Sequence, residues 1–237
     1  MFIYIFTPMK TLGLIGGTSW VSTIDYYRFI NQGVNNRLGG VNAARLLVHS
    51  FNYADIVKNL DTNNWDAILK MIVDAGINLK NSGAEGIILC GNTTHLVATE
   101  AQAQIGLPII HIAEATAVAI KKEGFKTVAL LGTRFTMEHN FFADKLKAAG
   151  IQPLTPDKTD RDFIHETLLR EMGKGIFKPE TKAAYLQIMD KLKLQGAEGV
   201  ILGCTEIPLL VQPADTDLML FDTAAIHSAA AVDFILN

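Results

Sequence analysis

The sequence predicts an α/β protein of two similar lobes, each a mostly parallel sheet flanked by helices, with an active-site cleft between them. Three observations carry this. Short apolar runs rich in strand-forming residues alternate with longer helical patterns, the mark of βα units whose parallel strands are covered on both faces. Residues 83–94, G-A-E-G-I-I-L-C-G-N-T-T, return almost unchanged at 196–206 as G-A-E-G-V-I-L-G-C-T-E, an offset of 113. Leu14-Ile15-Gly16-Gly17-Thr18 likewise resembles Leu130-Leu131-Gly132-Thr133-Arg134, an offset of 116.

The first strand is expected over Thr11 to Ile15, an apolar run stopped by Gly16-Gly17, and a helix follows from Ser22 to Leu38. Ala44 to His49 reads as the second strand, and helices near Ala54 to Asn59 and Trp65 to Asn81 lead into the apolar run Gly86 to Leu89. A helix over Thr94 to Gln104 connects that run to a strand at Pro108 to His111. The second half repeats the plan with helix Glu114 to Glu123, strand Thr127 to Leu131, helix Met137 to Ala149 and strand Gln152 to Leu154. Helices Phe163 to Met172 and Glu180 to Gln195 precede strand Gly199 to Leu202; Met219 to Asp222 is the last strand, before a helix over Thr223 to Leu236.

The repeat places one lobe at 1–113, with 221–237 packing back on it, and the other at 114–220. Ligands of open α/β sheets bind outside the carboxyl ends of the strands. Gly16-Gly17, Cys90-Gly91, Gly132-Thr133 and Gly203-Cys204 are therefore expected to converge on the cleft. The opening M-F-I-Y-I-F-T-P lacks the basic region and cleavage site of a secretory signal, and reads as an upstream start or an extra edge strand.

With 237 residues, 49% of them apolar, the chain can bury a substantial core. A formal charge of −3 with scattered Lys and Arg argues against a nucleic-acid partner, which needs a clustered basic face. No run after the first residues is long and apolar enough to span a bilayer, so no membrane partner is expected. Two cysteines do not make a disulfide framework, which points to a reducing, cytoplasmic location. No His/Cys spacing supports a metal site.

Cys204 is the strongest single candidate. It follows an apolar strand in Gly203-Cys204-Thr205-Glu206 and is expected to open a short helical turn whose free amides and dipole favour a thiolate. In the matching turn, Cys90 and Gly91 precede Asn92 and Thr93, whose amide and hydroxyl suit a carboxylate or an enolate-like charge, or the capping of the next helix. Gly16-Gly17-Thr18-Ser19-Trp20 is neither a Walker loop nor a dinucleotide fingerprint, so Gly17 is expected to let the backbone approach a small ligand that Ser19 and Trp20 line. Thr133 and Thr136, with Arg134, could fix an acidic group by hydroxyl and guanidinium contacts, and Thr205 sits beside the candidate thiol. Ser50 and Asn52 are weaker candidates for the same cleft. Lys174, in Met172-Gly173-Lys174-Gly175, could close over an anionic side chain or lie solvated at a helix end.

Taken in order, L-G-L-I-G-G-T-S-W, C-G-N-T-T-H, L-L-G-T-R-F-T-M, G-C-T-E-I-P-L-L and F-D-T-A-A-I-H resemble the aspartate/glutamate racemase family, and the similarity runs from Met9 onward. The resemblance implies racemisation of an acidic amino acid without cofactor, frequently by a homodimer, with two thiols facing opposite sides of Cα. Cys204 matches the second family cysteine. The first stands immediately before Asn-Thr in the family, where this chain has Gly91, with Cys90 one residue earlier. On an extended segment that slip aims Cys90 at the opposite face. The second acid/base is then Cys90 if the turn bends inward, or otherwise Thr93, Thr94 or a bound water. A one-cysteine decarboxylase or isomerase of a small dicarboxylate, and a non-catalytic binder of acidic amino acids, remain the alternatives.

Overall fold

The computed structural model describes residues 9–237, and the edge strand considered for residues 1–8 lies outside them. The chain divides into two compact units: residues up to Cys90 with Val97–His111 and His227–Asn237, and Gly91–Leu96 with Ile112–Ile226. Boundaries taken from the sequence repeat fell at 113 and 220. Each unit carries a four-stranded sheet whose strand pairs are all parallel.

In the first unit, β1 (Thr11–Gly16), α1 (Trp20–Leu38), β2 (Arg45–Ser50), α2 (Tyr53–Asp61), α3 (Trp65–Asn81), β3 (Gly86–Leu89), α4 (Ala98–Ile105) and β4 (Ile109–Ile110) form a sheet of order β2-β1-β3-β4. Strand side chains alternate between faces. Ile15, Ile87 and Leu89 pack with Ile68, Ile72 and Leu79 of α3 and Ala98, Ala101 and Ile105 of α4. Gly86 faces the other way, where a Cβ would meet the Phe234 ring at 2.5 Å. That face is held by a buried relay in which the Tyr26 hydroxyl and His227 Nδ1 lie 2.8 Å apart and His227 Nε2 donates to the Ile110 carbonyl at 2.7 Å.

The second unit contains α5 (Ile112–Lys122), β5 (Thr127–Gly132), α6 (Arg134–Glu138), α7 (Asn140–Ala148), β6 (Gln152–Leu154), α8 (Lys158–Arg170), α9 (Pro179–Leu194), β7 (Gly199–Gly203), α10 (Ile207–Leu210) and β8 (Met219–Asp222). Its sheet runs β6-β5-β7-β8. Pleating splits the strands cleanly: Val128, Leu130 and Ile201 pack on α5 and α7, and Ala129, Leu131, Val200 and Leu202 pack on α8, α9 and α10. The closing helix α11 (Thr223–Leu236) gives its first residues to this unit and the rest to the first.

The sequence repeat is a repeat of hydrogen bonds. Gly83 and Gly196 leave their helices at φ +100° and +101°, a backbone region that favours glycine. Two residues on, Glu85 accepts from the Thr11 N–H at 2.7 Å and Glu198 from the Thr127 N–H at 2.8 Å, tying each strand start to its neighbour. Both glutamate backbones return the bond, at 2.8 and 2.9 Å.

Three expected helices differ. The one placed over Phe163 to Met172 is α8, which begins earlier, at Lys158, because Asp157 caps it by accepting from the Asp160 N–H, and ends at Arg170. The one placed over Met137 to Ala149 is two, α6 and α7, separated by His139 in extended backbone (φ −87°, ψ 152°), with its ring stacked 5.9 Å from that of Phe135. The one expected from Thr94 starts as a turn of 3-10 helix, Thr93–Val97. No described helix is long and apolar enough to cross a membrane.

Candidate active site

The carboxyl ends of β5, β7 and β8 carry the polar cluster of the second unit. Gly132 and Gly203 are register partners there. A Cβ on Gly203 would meet the Leu131 carbonyl at 2.6 Å, and one on Gly132 would meet Thr136 Cβ at 3.1 Å. Two bare positions thus make room for Thr136, which is fully buried. The hydroxyls of Thr93, Thr133 and Thr136 follow one another at 3.4 Å each.

Asn92 lies beside this row. Its Nδ2 donates to Thr223 Oγ1 at 3.2 Å, and the Thr223 hydroxyl donates to the Leu202 carbonyl at 2.9 Å. Asn92 is 8% exposed, and its buried Oδ1 finds no hydrogen-bond partner among the described residues. A buried acceptor left unmet costs about 1–3 kcal/mol. The side chain therefore does not cap the following turn, one of the two roles its sequence position allowed.

Cys204 follows β7 and is half-buried against the core that holds Tyr185, Ile207 and Met189. Its thiol donates to Glu206 Oε2 at 2.9 Å, and the Thr205 hydroxyl donates to the same oxygen at 2.9 Å. The expectation that the turn favours a thiolate is corrected here. Burial pushes the Cys204 thiol well above its ordinary value, the Glu206 charge and the hydrogen bond to it add to the rise, and the Glu206 and Thr205 backbone amides only offset part. The thiol form of Cys204 is thus favoured, with Glu206 Oε2 2.9 Å from its sulfur. Beneath it, burial also raises the Tyr185 phenol, with Cys204, Glu171 and Glu206 adding to the shift. Glu206 was not among the site residues expected from the sequence; its place two residues after the cysteine brings it near, and the fold puts its carboxylate on the sulfur.

Cys90 lies in the first unit and is fully buried. Its N–H donates to the Ile15 carbonyl at 2.9 Å, so it continues the line of β3. Pleating puts its side chain on the face of Gly86 and Ile88. Burial raises its thiol far above the ordinary value. Thr94 is also buried and donates to the Gly91 carbonyl at 3.3 Å; His95 Nδ1 lies 2.8 Å from the same oxygen.

The remaining first-unit candidates make local contacts. Gly17 (φ +82°) has the Phe51 backbone where its Cβ would stand, at 2.2 Å, so its bareness admits the neighbouring strand end. Ser19 caps α1 by accepting from the Ser22 N–H, and Trp20 is 68% exposed. Ser50 ends β2 in register with Gly16, exposed, and Asn52 caps α2. In the second unit, Arg134 pairs with Asp162 at 3.5 Å. Lys174 lies on an exposed turn whose N–H groups at Lys174 and Ile176 bond the Glu171 carbonyl, at 2.8 and 3.1 Å. The Glu171 carboxylate holds Lys178 and Thr181 at 2.7 Å each, which anchors that turn to α9.

The second unit thus holds a thiol hydrogen-bonded to a carboxylate, a row of hydroxyls and a buried amide acceptor. The comparisons give the class. Residues 15–231 match the model of the Asp/Glu/Hydantoin racemase family, and the chain belongs to that family. It is similar to a provisionally assigned Asp/Glu racemase from Yersinia pestis, with 45% identity, TM-score 0.92, and 97% of this chain and 100% of that one covered. An aspartate racemase homologue from Pyrococcus horikoshii OT3 superimposes with TM-score 0.85 at 30% identity, covering 97% and 100%. A broad specificity amino-acid racemase from Bacillus subtilis (strain 168) is 24% identical over 171 residues, 72% of this chain and 74% of that protein. Family membership supports amino-acid racemase activity.

Proposed function

We propose that this chain interconverts the enantiomers of an acidic amino acid, aspartate or glutamate, by proton exchange at Cα without a cofactor. The observation that carries the reading is the 2.9 Å contact between Cys204 Sγ and Glu206 Oε2. Glu206 takes the thiol proton, and the thiolate then removes the Cα proton and becomes a thiol again. The resulting carbanion is reprotonated on its other side, giving the opposite enantiomer.

Cys90, fully buried, is not the second group in this account. The Thr93 hydroxyl, half-buried and linked to Thr133, is the better donor, directly or through a water it holds. Asn92 Oδ1 offers the acceptor that a substrate ammonium would satisfy. The half-buried Thr133 hydroxyl, backed by Thr136, suits the α-carboxylate, whose neutralisation a weakly acidic Cα proton requires. Lys174, on its exposed turn, is the cation available to close over the side-chain carboxylate. We place the protein in the cytoplasm as a homodimer, a state that sedimentation would check.

Incubation with each enantiomer of aspartate and glutamate in deuterium oxide tests the reading. Deuterium is expected at Cα, together with the opposite enantiomer, and Cys204→Ser abolishes both. Absence of exchange with all four compounds would contradict it.

A further inference from the structure

One oxygen serves two donors in the Cys204 turn. Glu206 Oε2 accepts from Cys204 Sγ and from Thr205 Oγ1, both at 2.9 Å, and all three residues are half-buried. The two donors differ in kind. The thiol can surrender its proton to that oxygen, while an alcohol holds its proton throughout and can only stabilise the charge on the carboxylate.

We propose that Thr205 is a positioning residue that governs how readily the proton passes from Cys204 to Glu206: its hydroxyl anchors the carboxylate as an anion and so holds back formation of the thiolate. The inference rests on the reading of Cys204 as the acid/base. It gives the Thr205 side chain a task toward Glu206 rather than toward substrate. The transfer moves one proton from sulfur to Oε2 and leaves the charge of the pair unchanged. Two further ionisable groups couple to the pair: Tyr185, on which Cys204 and Glu206 act, and Glu171, which also acts on Tyr185. Tyr185 is neutral, bonded to Thr167 Oγ1 at 3.2 Å, and Glu171 is paired with Lys178, so neither supplies a competing proton near neutral pH.

This arrangement has a signature that needs no substrate. Only the thiolate reacts with iodoacetamide. While Glu206 is ionised, the reactive form is the minor one in which the proton has moved to Oε2, and its share does not change with pH. The rate therefore runs along a plateau and rises in alkali once the thiol ionises outright. Thr205→Val removes a donor from the charged form alone. Loss of such a bond at a half-buried site is expected to raise the plateau about tenfold. On the alkaline limb the Thr205→Val and wild-type curves converge, because the carboxylate keeps its charge in both compared forms.

The experiment is the pH dependence of iodoacetamide alkylation of the full chain, with the modified residue identified by peptide mass. Wild type, Thr205→Val, Thr205→Ser and Glu206→Gln are compared, each shown folded by its thermal transition. Thr205→Ser is expected to follow wild type, and Glu206→Gln to lose the plateau. The proposal is overturned if Thr205→Val superimposes on wild type, or if it changes the rate by one factor at every pH, the mark of altered access. If the curves behave as described but no Cα exchange is found, the racemase reading fails while the task of Thr205 stands.

Discussion

The turns after β3 and β7 come from nearly the same sequence and do different things. In both units a glycine with positive φ, a glutamate tying two strands together and an apolar strand lead to a cysteine. In the first unit the cysteine occupies the last in-line position and is fully buried. In the second that position is Gly203, where a Cβ would collide with the Leu131 carbonyl at 2.6 Å, and the cysteine comes one residue later, beside Glu206. One residue of register separates a thiol that fills a core from a thiol with a proton acceptor. A repeated motif therefore preserves the scaffold more faithfully than the chemistry mounted on it.

The contrast can be broken most severely at Cys204. Cys204→Ser is expected to lower Cα exchange by about 10³-fold or more, measured as deuterium incorporation, within the range that a positioned acid/base contributes. Glu206→Gln keeps an acceptor for the thiol but cannot hold its proton, and should lower exchange by about 10²-fold. Either variant retaining wild-type rates would remove the distinction between the turns.

Stability separates them next. Gly203→Ala places a methyl group against backbone and Thr136, and should cost about 2 kcal/mol in urea unfolding. The alkaline limb gives a finer test. Burial raises the Cys90 thiol in the folded protein above its ordinary value of 9.0, so it keeps its proton when the unfolded chain begins to lose it. Its contribution is present below about pH 9 and is lost as pH rises, by up to about 1.4 kcal/mol per pH unit. Cys204 has the same sign. Cys90→Ala is expected to flatten the fall in stability between about pH 9 and 10, measured by urea titrations across that range.

Much of the scaffold was legible beforehand. β3, β6 and β8 have the expected bounds, and the other strands lie within a residue or two, because each is a short apolar run closed by a turn. The break at His139 was not legible: Met137 to Ala149 reads as one helical pattern, whereas the backbone is extended at His139, whose ring stacks on Phe135. The site was legible by residue type more than by role. Gly17 and Ser19 were read as ligand-facing and Asn52 as a weaker candidate; in the structure Gly17 meets the Phe51 backbone, and Ser19 and Asn52 cap helices. The thiolate expectation failed because a sequence shows that amides adjoin Cys204 but not that burial and Glu206 outweigh them. Spacing alone could not tell that Glu206 folds back two residues onto the sulfur.

The central claim is that the two cysteines are not a catalytic pair. Deuterium incorporation at Cα by Cys90→Ala, set beside wild type and Cys204→Ser under the same conditions, tests it most directly. The account predicts a rate per folded molecule within about threefold of wild type, since the removed thiol lies in a core and takes no part in the transfer. A collapse to the level of Cys204→Ser would show that Cys90 handles the proton after all, and would contradict it.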